Sequence, residues 1–166
     1  MSILGHTVRS HLDSQRVSRV IYGAIIGLAL IVALEQHPPS PGVVAATVTG
    51  TAVAVALAEL YSEVVGTETR TRRLIGAAQI SGISRGAAAV AFGVEFPAVF
   101  FVLAELGAME TQSAFTAAKW SGLGLIGLYG FCAARLAGVR VPGAVLHAVV
   151  LGCVGGMLIV LKALLH

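Results

Sequence analysis

The chain has 166 residues, 57% of them hydrophobic and only 11% charged, with a mean hydropathy of +0.89 and a formal net charge of +3. A soluble domain carries about 25% charged residues, so this composition excludes an ordinary water-facing globular domain and points to an integral membrane protein. The length suits one bundle, and eleven basic residues dispersed between apolar segments read as topology signals, not as a nucleic-acid surface.

The first nineteen residues mix Arg9, Arg16, Arg19, Asp13, His6 and His11 without an early apolar run, which is not the pattern of a cleavable signal peptide. Leu4, Val8 and Leu12 recur at helical spacing. They fit either a short amphipathic helix at the membrane surface or a frayed polar tail.

A first span is expected over residues 17–35, with Gln36 and His37 following it. His37-Pro38-Pro39-Ser40-Pro41-Gly42 cannot continue a helix. Ser40 before Pro41 resembles an N-cap with proline at the first helical position, which restarts the chain as the second span of an antiparallel hairpin. That second span, residues 43–65, is 23 residues long, roughly 35 Å of helix and enough to cross ~30 Å of hydrocarbon. It is uncharged as far as Ala58, then places Glu59 and Glu63 on one helix face, and is followed by Arg70, Arg72 and Arg73.

Residues 74–84 are rich in Gly and Ser and read as a short interfacial helix or loop. A third span over 86–104 carries Glu95 near its middle, with Pro97 just beyond. A fourth covers 113–134 with Lys119 inside it, and a fifth covers 143–161 with His147 inside and Lys162 at its end. The expected fold is therefore all-α: a multi-pass bundle of five transmembrane helices preceded by a short amphipathic N-terminal helix. An N-terminus inside and a C-terminus outside put nine of the eleven basic residues on the inner side, Lys119 and Lys162 being the others.

Glycines mark close helix approaches, where lipid offers no hydrophobic drive for association. Gly23 and Gly27 form GxxxG in the first span, and Gly152 and Gly156 form another in the fifth. Both fit packing within the bundle, and either could also serve a homodimer. Cys132 and Cys153 lie in apolar helices at no metal-type or disulfide spacing and read as inert thiols.

An ionisable group at the centre of a span costs roughly 2.5–3.5 kcal/mol on insertion scales, so each should face protein or water. Glu95 and Lys119 come to similar depth and form a candidate ion pair. Glu59 and His147 share a second level, with Glu63 one turn closer to the cytoplasm. A cation or proton path through Glu63, Glu59, His147 and Glu95 is one reading. The other keeps Glu59 and Glu63 at the interface neutralising arginines, with His147 bonded to a carbonyl.

The order of elements resembles the vacuolar iron transporter family. The first span's RVSRVIYGAIIGLALIVAL is similar to that family's R-x-x-I-x-G-A-N-D-G-L opening. ALAELYSEVVGTETR resembles its second-span A-x-G-E-Y-x-S-x-x-S-x-x-E ending, and GLYGFCAARLAGVRVPGAVLHAVVLGCVGGMLIVL resembles its closing pair of spans. The resemblance implies that Glu59 takes the place of the family's span-two glutamate. It further implies Glu59 and Glu63 as metal ligands, Fe²⁺ or Mn²⁺ as the transported ion with no bound cofactor, and a homodimer. Two departures stand out: Ile26 occupies the place of the family's first-span Asp, and the metal-binding hairpin between spans two and three is absent. The expected function is a small transporter of divalent metal, proton or other cation, with the lipid bilayer of a bacterial-type inner (cell) membrane as its surroundings and no nucleic-acid partner. The alternative is a non-transporting scaffold or accessory subunit that keeps the fold. No Ser/His/Asp set, metal triad or phosphate-binding glycine loop points to an enzyme.

Overall fold

Proline and glycine punctuate the chain into six helices among the described residues, 3–164 of a computed structural model: α1 (Ile3–Leu34), α2 (Pro41–Thr71), α3 (Ala77–Glu95), α4 (Ala98–Glu105), α5 (Thr111–Leu136) and α6 (Val141–Leu164). The side chains of 3–15, 154 and 158–164 lie outside the described residues, and with them the expected amphipathic face of Leu4, Val8 and Leu12 and the span-closing Lys162.

Pro41 opens α2 at its first position, as the Ser40-Pro41 pair predicts. The Ser40 side chain makes no capping bond. The work of capping falls to a distant residue: the Gly42 N–H donates to Glu105 Oε2 at 2.7 Å. A carboxylate at a helix N-terminus satisfies an orphan donor and meets the positive end of the helix dipole. Two later helices end in the same glycine device. Gly107 follows α4 at φ 75° and Gly138 follows α5 at φ 80°. Their N–H groups bond back to Ala104 and Arg135, and the next residues reach Leu103 and Ala134, closing two Schellman turns.

Three boundaries differ from expectation. The lead-in is not a separate helix, because α1 runs unbroken from Ile3 into the first span. Residues 77–84 are not a separate short helix or loop but the first turns of α3, since nothing between Ala77 and Glu95 breaks the helix. The expected third span is two helices, α3 and α4, bent by 50° at residues 96–97. Pro97 has no N–H for the carbonyl of Gly93, and its ring crowds that carbonyl, so the helix turns there.

Among the described residues two helices are long and apolar enough to cross a membrane, Arg16–Leu34 within α1 and the whole of α2, or three if the bent α3–α4 pair is one span. α6 adds a shorter apolar stretch, Val141–Met157. α5 is central: its buried residues recur every fourth position, Ala114, Ala118, Gly122, Ile126, Gly130 and Ala134, and it packs on α1, α4 and α6. Small residues there allow close approach and lower the helix's own hydropathy.

α3 lies between α1 and α2, and α5 lies on the other side of α1, with α6 beyond it. One core cluster joins α1, α2, α3, α4 and α5 through Ile31, Val44, Val48, Val94, Phe101 and Phe115. Phe101 and Phe115 meet edge to face with centroids 4.8 Å apart. A second cluster ties α1 to α5 through Val20, Ala24, Leu28, Leu125 and Ile126. Outside, Val53, Leu57, Leu128, Val149 and Val150 are all more than half exposed, an apolar surface suited to lipid.

Candidate functional site

Arg19 is placed by α1 so that its side chain crosses α3 and reaches α2. The crossing point is Gly86, buried, where a Cβ would collide with the Arg19 guanidinium. Beyond it, Arg19 Nε lies 3.3 Å from Glu59 Oε1, and Nη2 donates to Glu63 Oε2 at 3.0 Å. One planar cation thus spans both carboxylates of the i, i+4 pair, a geometry the guanidinium fork is suited to. The sequence places Glu59 and Glu63 correctly on one face. What occupies that face is an arginine.

His147 does not join them. It is exposed on α6, which packs against α5 and α1 and not against α2. Among the described residues no group of three or more His, Cys, Asp or Glu side chains comes together in a way that could hold a metal ion. Among the described residues Glu59 and Glu63 thus have no third His, Cys, Asp or Glu beside them, and Arg19 already meets their charge.

The expected Glu95–Lys119 pair is not formed. Lys119 turns to the opposite end of the bundle and holds Glu35, with Nζ 2.6 Å from Oε1 and 2.7 Å from Oε2. Lys119 lies two turns into α5, and its four-carbon stem carries the ammonium outward to a carboxylate just past the end of α1. Pairing by depth alone overlooked that reach.

Glu95 is left with a different neighbour. It is the last residue of α3, at the bend, and Oε1 accepts a hydrogen bond from Thr49 Oγ1 of α2 at 2.8 Å. Oε2 is buried and no protein donor reaches it. Glu95 lines a groove of about 820 Å³ between α2 and the α3–α4 bend, walled by Val53, Leu57, Phe92, Phe96, Val99 and Val102. A carboxylate oxygen without a donor in apolar surroundings is costly unless it takes a proton or a cation. This is the one ionisable group in the described bundle set up that way.

The GxxxG motifs divide. Gly23 and Gly27 pack within the bundle: added Cβ atoms there would meet the carbonyl oxygens of Val90 and Val94, the latter at 2.8 Å. Gly93 answers from α3, where a Cβ would strike Val20 and Ala24 of α1. Gly152 and Gly156 instead have no neighbour among the described residues within 4 Å of an added Cβ.

Four residues that matter here carry no functional signal in the sequence reading: Arg19, Thr49, Glu35 and Gly86. Arg19 was legible as a basic residue at a span's start, but its partners lie 40 and 44 positions away. Gly86 reads as one small residue among many.

Against known protein families, curated proteins and solved structures the chain has no significant match.

Proposed function

We propose that the chain is a five-span membrane protein, N-terminus in and C-terminus out, in a bacterial-type cell membrane. In this reading Glu95 reversibly binds a proton or small cation in the groove beside α2. The observation that carries it is the buried, unpartnered Oε2 of Glu95, whose other oxygen is held by Thr49 while Lys119 is engaged elsewhere. By position the group falls near the middle of the third span, where an ionisable side chain marks an ion or proton pathway by default. The helix break supports the same reading, since discontinuous helices are where transporters place coupling sites. Nine arginines at one end of the bundle support the orientation. The resemblance to the vacuolar iron transporter family supports the five-span arrangement. It gives less support to Fe²⁺ or Mn²⁺ as cargo, because Arg19 engages the carboxylates that would bind it.

A homodimer fits the Gly152–Gly156 face of α6, which has no neighbour among the described residues. Cys153, exposed beside it, is a native handle for cross-linking, and failure to cross-link in membranes argues against that face. A scaffold is the second reading, favoured by the closure of Glu59 and Glu63 on Arg19.

Flux into proteoliposomes separates the two. Proton, Na⁺ and Mn²⁺ movement is measured for the wild type, Glu95→Gln and Glu59→Gln. The proposal expects Glu95→Gln to abolish flux with expression intact. Normal flux in Glu95→Gln, or none of any ion in the wild type, gives the scaffold reading.

A further inference from the structure

A second cavity opens at the arginine-rich end between α1, α3 and α5, with a volume of about 560 Å³. Its mouth carries Arg16 and Arg85, both exposed. Among the described residues neither makes a hydrogen bond or ion pair, in contrast to Arg19, which holds two carboxylates. Its walls are Val17, Val20, Ala89, Phe92, Tyr129 and Leu136. From Arg85 to Phe92 is seven residues, and from Leu136 back to Tyr129 is seven. The apolar wall therefore runs roughly 10 Å along the helices, away from the charged mouth.

We propose that this crevice binds one anionic phospholipid, its phosphate diester held by Arg16 and Arg85 and the first part of an acyl chain lying along Phe92 and Tyr129. Two guanidiniums with no carboxylate partner among the described residues are free to donate to one anion, and a phosphate accepts from them in a bidentate way. Basic pockets between helices on the cytoplasmic side are where such headgroups are taken. The apolar wall selects a lipid over a free anion, because inorganic phosphate gains nothing from covering the exposed Phe92 and Leu136. Ala88 and Phe92 line this crevice and the Glu95 groove alike, so the bound chain ends beside the helix break.

The test uses the full chain in nanodiscs of phosphatidylcholine doped with a fluorescent phosphatidylglycerol, reading energy transfer from Trp120 or from a dye on the protein. Arg16→Gln and Arg85→Gln are each expected to lower the preference for phosphatidylglycerol over phosphatidylcholine about fivefold, and together about thirtyfold. Arg70→Gln with Arg72→Gln, at the same end but outside the crevice, should leave the preference unchanged. Ala89→Phe keeps both charges, fills the wall and should displace the lipid. Equal losses from the two arginine pairs would show a diffuse surface attraction and overturn the proposal. So would retention of lipid in Ala89→Phe, or displacement of the labelled lipid by inorganic phosphate as readily as by unlabelled phosphatidylglycerol. Melting in pure phosphatidylcholine discs checks that each variant is folded.

Discussion

α1 and α2 are nearly the same length, 32 and 31 residues, and similarly apolar, yet the bundle holds them by opposite means. Of the most apolar stretch of α1, 44% is buried inside the protein; for α2 the share is 17%. α1 presses its glycines onto the backbone of α3 and its larger residues onto α5. α2 sends only Val44, Val48 and Ala52 into the core, all in its first half. The rest is fastened by polar ties: Gly42 to Glu105, Thr49 to Glu95, and Glu59 with Glu63 to Arg19. Close-packed backbone has one arrangement, because any shift opens voids or collides. Polar ties can be broken and remade individually. α2 is thus the more loosely packed of the two, and Glu95 sits at its edge.

The largest effect is expected where the packed side is broken. Gly93→Leu drives a side chain into the backbone of Val20 and Ala24 and should cost about 3 kcal/mol, the upper range for overpacking. Thermal melts in detergent check it, and a near-native melt would mean that α1 and α3 are not in contact there. Next comes the main tie of α2. Arg19→Met leaves two carboxylates facing each other and should cost about 2 kcal/mol, less than a fully buried pair because both acids are part-exposed. Adding Glu59→Gln and Glu63→Gln should recover most of the loss, and strict additivity of the changes would dismiss the tie.

Gly86→Ala attacks the same tie indirectly. Its methyl group meets only the flexible end of Arg19, so the fold should persist with a loss of about 1 kcal/mol. In an Arg19→Met background the same change should be nearly silent, and an undiminished cost would place the strain elsewhere. The smallest effect concerns the weakest tie. Thr49→Val removes the donor to Glu95 and should cost about 1 kcal/mol or less. Thr51→Val, whose hydroxyl bonds only to Thr47 of its own helix, serves as the control. Thiol labelling of a cysteine placed at Leu57 should speed up in Thr49→Val and not in Thr51→Val. Equal rates would separate Thr49 from the movement of α2.

What was readable in the sequence follows the range of the forces. Helix starts and stops near Pro41, Gly107 and Gly138 are local, and so they appear close to where the residues place them. The bend at Pro97 is local too, but a span drawn by hydropathy alone runs straight through it. Glu59 and Glu63 on one face follow from helical period. Their partner does not, since Arg19 reaches them only because α3 happens to carry a glycine at the crossing. Lys119 shows the same limit: depth in the sequence locates the Cα, while a long side chain chooses its carboxylate several ångströms away. Glu95 stood out as an ionisable group, and the particular hydroxyl beside it required the fold.

The crossing of Arg19 over Gly86 also bears on how the chain is assembled. α1 and α2 are made first, as consecutive arms of a hairpin, but in the finished protein α3 lies between them. A bridge formed between α1 and α2 before α3 is in place would have to admit that helix underneath. A side chain at position 86 would press on the Arg19 guanidinium as α3 takes its place. The bare backbone at that one level leaves room for α3 beneath the bridge from Arg19 to Glu59 and Glu63.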